Sequence, residues 1–259
     1  MVLMHLKNFK ISDDMNLVVD IGNTNVKALI MDKGRVCREL AAQELSDEPL
    51  KELIRNYAIR QAIVCSVGDA ADRIFSLLKN NVEFCILLDS KTPIPIPVKY
   101  KTIQTLGMDR VAMAVGAQVL YGVRNALLVD LGTAITMDVL LEGCFMGGNI
   151  SPGVEMRLRS LHEWTSHLPK VDACSKEDDT TIWGNSTRDA ILKGVIHGIA
   201  SEIDGMRREL SDAFGQLPVI LGGGGAKLFV NRIKNAIFAD GLIVCCGLNE
   251  ILEFNARNL

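Results

Sequence analysis

LVVDIGNTNVKALIMDKG (17–34) and LLVDLGTAITMDVLLEGC (127–144) are one pattern written twice. In each, an apolar run ends on an aspartate, a small turn with a glycine follows, and a second apolar run begins. Leu17 falls on Leu127, Val19 on Val129, Asp20 on Asp130 and Gly22 on Gly132, at a constant offset of 110 residues. Short apolar runs bounded by turn residues read as buried strands. One such aspartate–glycine turn is a good hairpin connection and nothing more. Two copies at equivalent places argue instead for two related α/β halves, each opening strand–turn–strand.

The chain outward from these copies alternates strand and helix patterns. RVCREL (35–40) extends the first strand pair into a meander, 46–58 reads as a helix, QAIVCSV (61–67) as a strand, 71–81 as a helix and EFCILLD (83–89) as a strand. KTPIPIPVKY (91–100) carries three prolines and reads as an extended loop. A helix is predicted over 107–122. After the second copy come a turn at GGNISPG (147–153), a long helix near 187–212, a strand at PVIL (218–221), the loop GGGGAK (222–227), a helix, a strand at LIVCC (242–246) and a last helix. The expected organisation is an N-terminal extension over 1–16, a first half over 17–123 and a second over 124–259.

Bulk properties narrow the function. The 259 residues suit one large domain or two medium ones, and 48% apolar residues supply a sizeable core. A net charge of −3 leaves no basic excess for nucleic acid. No apolar run reaches the roughly 18–20 residues that span a bilayer. Lys7 and Lys10 interrupt the N-terminus, so it does not read as a secretory signal; residues before the first strand are an extension or reflect an early start codon. Seven cysteines, with no CxxC pair and mostly inside apolar runs, read as reduced thiols of a cytoplasmic protein. The four histidines form no HExxH-like pattern, which argues against a structural transition-metal site.

The two aspartate turns suggest phosphate chemistry. Backbone N–H groups in such turns cradle phosphate oxygens. Carboxylates at strand ends lie where α/β proteins bind ligands. They repel phosphate directly but hold a cation that bridges to it. No GxxxxGK[ST] and no GxGxxG after a strand is present, and GGGG at 222–225 has no acidic residue about 20 positions on in the setting a dinucleotide fingerprint needs.

DIGNTN (20–25), DLGTA (130–134) and the strand–glycine turn at LGGGG (221–225) resemble the layout of the acetate and sugar kinase/Hsp70/actin superfamily. There the first turn is phosphate 1, the second phosphate 2 and the glycine turn the adenosine site. With TLGMDR (105–110), GGNISPG (147–153) and NSTRDA (185–190), the chain is identified as similar to the type III pantothenate kinases over residues 17 to about 254. It departs in the N-terminal extension and in LGGGG, where the family more often has a threonine before the glycines. The resemblance implies an α/β fold of two actin-like (ribonuclease H-like) halves with an ATP cleft between them. It implies transfer of the ATP γ-phosphoryl to pantothenate, giving 4'-phosphopantothenate at the first step of coenzyme A synthesis.

The resemblance also implies roles, each beside a plainer one. Asp109 would be the general base; by position alone it reads as an acidic residue favoured at a helix start, the commoner role there. Arg110 would bind pantothenate or be a solvated helix arginine; Tyr100 would line the same pocket or pack the loop. Gly107 and Met108 would join the substrate site, and so would Thr187, otherwise a helix N-cap. Asp20, Gly22, Asn23, Thr24, Asn25, Lys27, Gly132 and Thr133 would meet ATP phosphates, although Lys27 at strand alternation also suits solvent. Gly222 and Gly223 belong to the adenosine turn. Asp20 would act on Mg²⁺ and Asp130 on a monovalent cation, K⁺ or NH4⁺. His162, Trp164 and His167 read as packing and surface residues near a subunit contact. The implied assembly is a homodimer, with neither nucleic acid nor membrane as partner. Another small-molecule kinase on the same scaffold and a non-catalytic transcription accessory factor are the alternatives.

Overall fold

The first strand forms where the sequence places it. The computed structural model describes residues 15–22, 26–42, 46–66, 71–173, 181–238 and 241–258. β1 (Met15–Ile21) pairs antiparallel with β2 (Val26–Asp32), which pairs antiparallel with β3 (Arg35–Ala42). On its other side β1 pairs parallel with β4 (Ile59–Ser66), and β4 with β5 (Phe84–Leu87), giving the order β3-β2-β1-β4-β5. Side chains alternate across a strand. Leu17, Val19 and Ile21 therefore share one core with Leu50 and Leu53 of α1 (Asp47–Asn56) and Ile74 and Leu78 of α2 (Ala71–Lys79).

The second copy builds the same sheet. β6 (Ala126–Leu131) pairs antiparallel with β7 (Ala134–Leu141) and parallel with β9 (Val219–Gly222). β8 (Cys144–Pro152) and β10 (Ala236–Phe238) complete the order β10-β9-β6-β7-β8. Read from the meander edge, the two orders are identical. Leu127, Val129 and Leu131 pack with Leu158 of α4 (Val154–Glu163) and with Ile191, Val195 and Ile199 of α5 (Thr187–Phe214). Ser186 caps α5, its hydroxyl accepting from the Asp189 N–H at 3.3 Å. The cap is thus Ser186, and Thr187 is the first helical residue.

The chain divides into two compact units. One comprises Met1–Pro95, Gly107–Asp109 and Leu248–Leu259; the other comprises Ile96–Leu106 and Arg110–Gly247. In the first unit, Asn16 of β1 donates to Asn249 at 2.8 Å, tying the sheet to the latter part of α6 (Ile243–Ala256). In the second, the buried helix α3 (Met108–Tyr121) lies against Ile243.

Three local readings change. Residues 242–246 are not a strand: Ile243 begins α6, because Ile243, Leu248, Ile251 and Leu252 are buried at helical spacing. The helix expected after GGGGAK is a single 3₁₀ turn, Ala226–Leu228, and the last strand is instead the three-residue β10. GGNISP is not a turn but the end of β8, with Gly153 capping α4.

Candidate active site

Asp20 is the penultimate residue of β1, opposite Lys27 of β2. Its carboxyl is pushed up to about 6, mainly by burial and then by the neighbouring Asp109 carboxylate, with Lys27 opposing both. Asp109 sits in the first turn of α3, preceded by Gly107 and Met108, all three half-buried. Asp20, Lys27 and Asp109 therefore form one cluster within the first unit. Gly22 follows β1 and is exposed. Asn23, Thr24 and Asn25 lie outside the described residues.

In the second unit, Asp130 is the penultimate residue of β6, opposite Thr136 of β7 and Gly222 of β9. Gly132 and Thr133 are exposed in the following turn. That turn is braced twice: the Gly225 N–H donates to the Leu131 carbonyl at 2.9 Å, and the Gly153 N–H to the Thr133 carbonyl at 3.0 Å. Gly223 has φ +82°, and a Cβ there would collide with the Asp130 carboxylate. The aspartate turn and the glycine turn are thus one packed unit. The Thr136 hydroxyl oxygen is buried without a hydrogen-bond partner.

Tyr100 and Arg110 also come together, on a partner the sequence did not single out. The Pro-rich loop ends on β8, with the Lys99 N–H donating to the Phe145 carbonyl at 2.8 Å. Arg110 is not solvated: it is 6% exposed and its charge meets Asp138 of β7, 1% exposed. Burial works against the guanidinium charge, but Asp138 and then Tyr100 outweigh it and hold the group above its ordinary range. Asp138 had a signal: an aspartate inside the apolar strand AITMDVLL has to find a charged partner. Thr187 is exposed at the start of α5.

Two cation sites fit their residues. The half-buried Asp20 carboxyl, raised by desolvation and then by a second carboxylate, is a place where a divalent ion relieves repulsion. Beside Asp130, the unpartnered Thr136 oxygen completes an all-oxygen pair suited to a hard ion. Among the described residues no group of three or more His, Cys, Asp or Glu side chains would hold a metal unaided, so water or a nucleotide phosphate would supply the other ligands. Among the same residues no helix is long and apolar enough to cross a membrane.

Comparison with known proteins matches this architecture. A family model described as type III pantothenate kinase matches residues 16–209. A Phocaeicola vulgatus protein named type III pantothenate kinase is 38% identical over 244 residues, covering 94% of this chain and 100% of the relative. A Campylobacter jejuni crystal structure, described as a candidate Baf family transcriptional activator, superposes with TM-score 0.58 at 22% identity, covering 94% of this chain and 100% of that one. A Listeria monocytogenes structure described as a candidate N-acetylmannosamine kinase superposes with TM-score 0.55 at 14% identity, covering 93% and 99%. At these identities the two structures speak for the fold alone, an actin-like α/β architecture, here with two five-stranded sheets of the same order.

Proposed function

This chain belongs to the type III pantothenate kinase family, and from that premise we propose how its residues divide the work. It phosphorylates pantothenate, with ATP as co-substrate, in coenzyme A biosynthesis. Phosphoryl transfer asks a protein mainly for positioning and charge neutralisation. The observation that carries the assignment is the pairing of Asp109 with the half-buried Asp20 carboxylate at the ends of α3 and β1. Asp109 is the general base and accepts the proton of the terminal pantothenate hydroxyl. Asp20 holds Mg²⁺, in part through water, and that ion supplies neutralisation of the ATP phosphates when bound.

Gly22, Asn23, Thr24, Asn25 and Lys27 meet the ATP phosphates from the first unit, and Gly132 and Thr133 from the second. Gly222 and Gly223 form the adenosine turn. Asp130, with the Thr136 hydroxyl, holds K⁺ or NH4⁺. Tyr100, Gly107, Met108, Arg110 and Thr187 contact pantothenate. The working form is a homodimer, supported by the large apolar side chains exposed on β8, just after α4 and on the approach to α5: Ile150 at 64%, Trp164 at 86% and Trp183 at 66%. The setting is the cytoplasm, in keeping with the free thiols of the described cysteines.

ADP release by the purified chain, with ATP and Mg²⁺, with and without pantothenate, in K⁺ and again in Na⁺ buffer, tests this. Pantothenate-dependent release that needs K⁺ or NH4⁺ is expected. A folded, ATP-binding protein with no such release overturns it. Asp109→Asn is expected to lower kcat by about 10²–10⁴-fold; full activity in that variant removes Asp109 as the base.

A further inference from the structure

The paired glycines of GGNISPG have no part in the transfer as assigned, yet they are packed against Tyr100 and Asp138. Gly148 lies opposite Asp138 and Gly147 opposite Val139 across the β7–β8 ladder. A Cβ on Gly148 would stand 2.6 Å from Asp138 Oδ1 and collide with the Met137 carbonyl. Gly147 has φ +98°, and a Cβ there would press to 3.0 Å from the Tyr100 ring. Side chains at either position would displace the groups that surround Arg110.

Those groups leave Arg110 little freedom. Its Nε lies 3.1 Å from both Asp138 oxygens and its Nη2 2.5 Å from Oδ1. Such fork geometry fixes the plane of the guanidinium. The same group lies 5.8 Å from the Tyr100 ring centroid and 5.9 Å from that of Phe145. A buried ion pair adds little net stability, because desolvation offsets the attraction. What this pair supplies is one orientation.

We propose that Asp138, seated against Gly148 while Tyr100 sits against Gly147, is a positioning residue that fixes Arg110 and Tyr100 as one rigid unit for recognising the acceptor substrate. The inference deepens the pantothenate reading and rests on Arg110 and Tyr100 meeting that acceptor. Asp138 acts through Arg110 and touches no reacting atom. The cradle explains why two consecutive glycines stand in the middle of an edge strand, where glycine otherwise weakens pairing.

Steady-state kinetics of the full chain decide it, using Asp138→Asn, Arg110→Gln and the double variant, each checked first by thermal melting. Pantothenate-dependent turnover must be present in the unaltered protein; its absence removes the kinase reading and this inference with it. Given turnover, Asp138→Asn should raise the KM for pantothenate about tenfold while the KM for ATP stays within about twofold. Adding Asp138→Asn to Arg110→Gln should change the pantothenate KM no further, since the two residues act as a unit. A folded Asp138→Asn with unchanged pantothenate KM overturns the inference and leaves the kinase reading intact. A further rise in the double variant does the same, as does a fall in kcat with both KM values unchanged, the mark of a purely structural role. If Asp138→Asn does not fold, Arg110→Gln against the double variant decides alone, because removing both charges leaves no buried ion unpaired.

Discussion

Asp20 carries a carboxyl raised to about 6 by burial and by Asp109, whereas an aspartate in an unfolded chain ionises near ~3.9. The folded state therefore prefers the protonated form. Below about pH 4 both states hold the proton and the group costs nothing. As pH rises through about 6, the folded chain must keep a charge it disfavours, and stability is lost over that window. The ceiling is ~3 kcal/mol, lowered by the partial exposure of the residue. Asp20→Asn, melted without nucleotide and in chelator, should raise Tm by a few degrees near pH 7.5 and leave it unchanged near pH 4. The same variant should lose phosphoryl transfer, a stability gain at the cost of function. A Tm near pH 7.5 that stays the same or falls would show that Asp20 is not held against its charge. The sequence made Asp20 legible because it stands at a strand end and recurs as Asp130. Asp138 escaped because nothing in AITMDVLL says that its partner lies 28 positions earlier in another element.

Among the elements, the glycine turn after β9 makes the sharpest demand. Gly223 combines φ +82° with a Cβ position already occupied by the Asp130 carboxylate and the Leu131 backbone, whereas Gly224 has nothing within 4 Å. Gly223→Ala should destabilise by about 2 kcal/mol or more, from left-handed backbone and collision together. Gly224→Ala should fall within about 0.5 kcal/mol of the unaltered protein. Urea midpoints for the two variants check this, and equal midpoints would mean that the turn and Asp130 are not packed as one. The first four strands and the opening hairpin of the second unit were legible because their apolar runs end at turn residues. β10 was not: a three-residue strand is specified by its neighbour β9 and not by its own pattern. LIVCC misled because a short apolar run fits either a strand or a buried helix turn. Only the helical spacing of Leu248, Ile251 and Leu252 beyond it decides.

Across the whole molecule, the offset of 110 residues between Asp20 and Asp130 becomes two sheets of the same order, with both aspartates at equivalent ladder positions. The equivalence stops at the surface. Ile150, Met156, Trp164, Ile182 and Trp183 are large apolar side chains that the second unit leaves exposed, the kind of surface that marks an interaction site when it is gathered together. Ile150 on β8 and Met156 on α4 hold a fixed geometry, which a symmetric partner of the same chain can match. Sedimentation at assay concentration should therefore find a dimer. Ile150→Asp, a change at an exposed position with little effect on the fold of one chain, should weaken that dimer by about tenfold or more, since a buried uncompensated carboxylate is costly in an interface. Pantothenate turnover should decline with the dimer across a dilution series, while melting of the dissociated chain stays near that of the unaltered one. An unaltered protein that sediments as a fully active monomer would end the dimer proposal and leave the five apolar side chains to another partner.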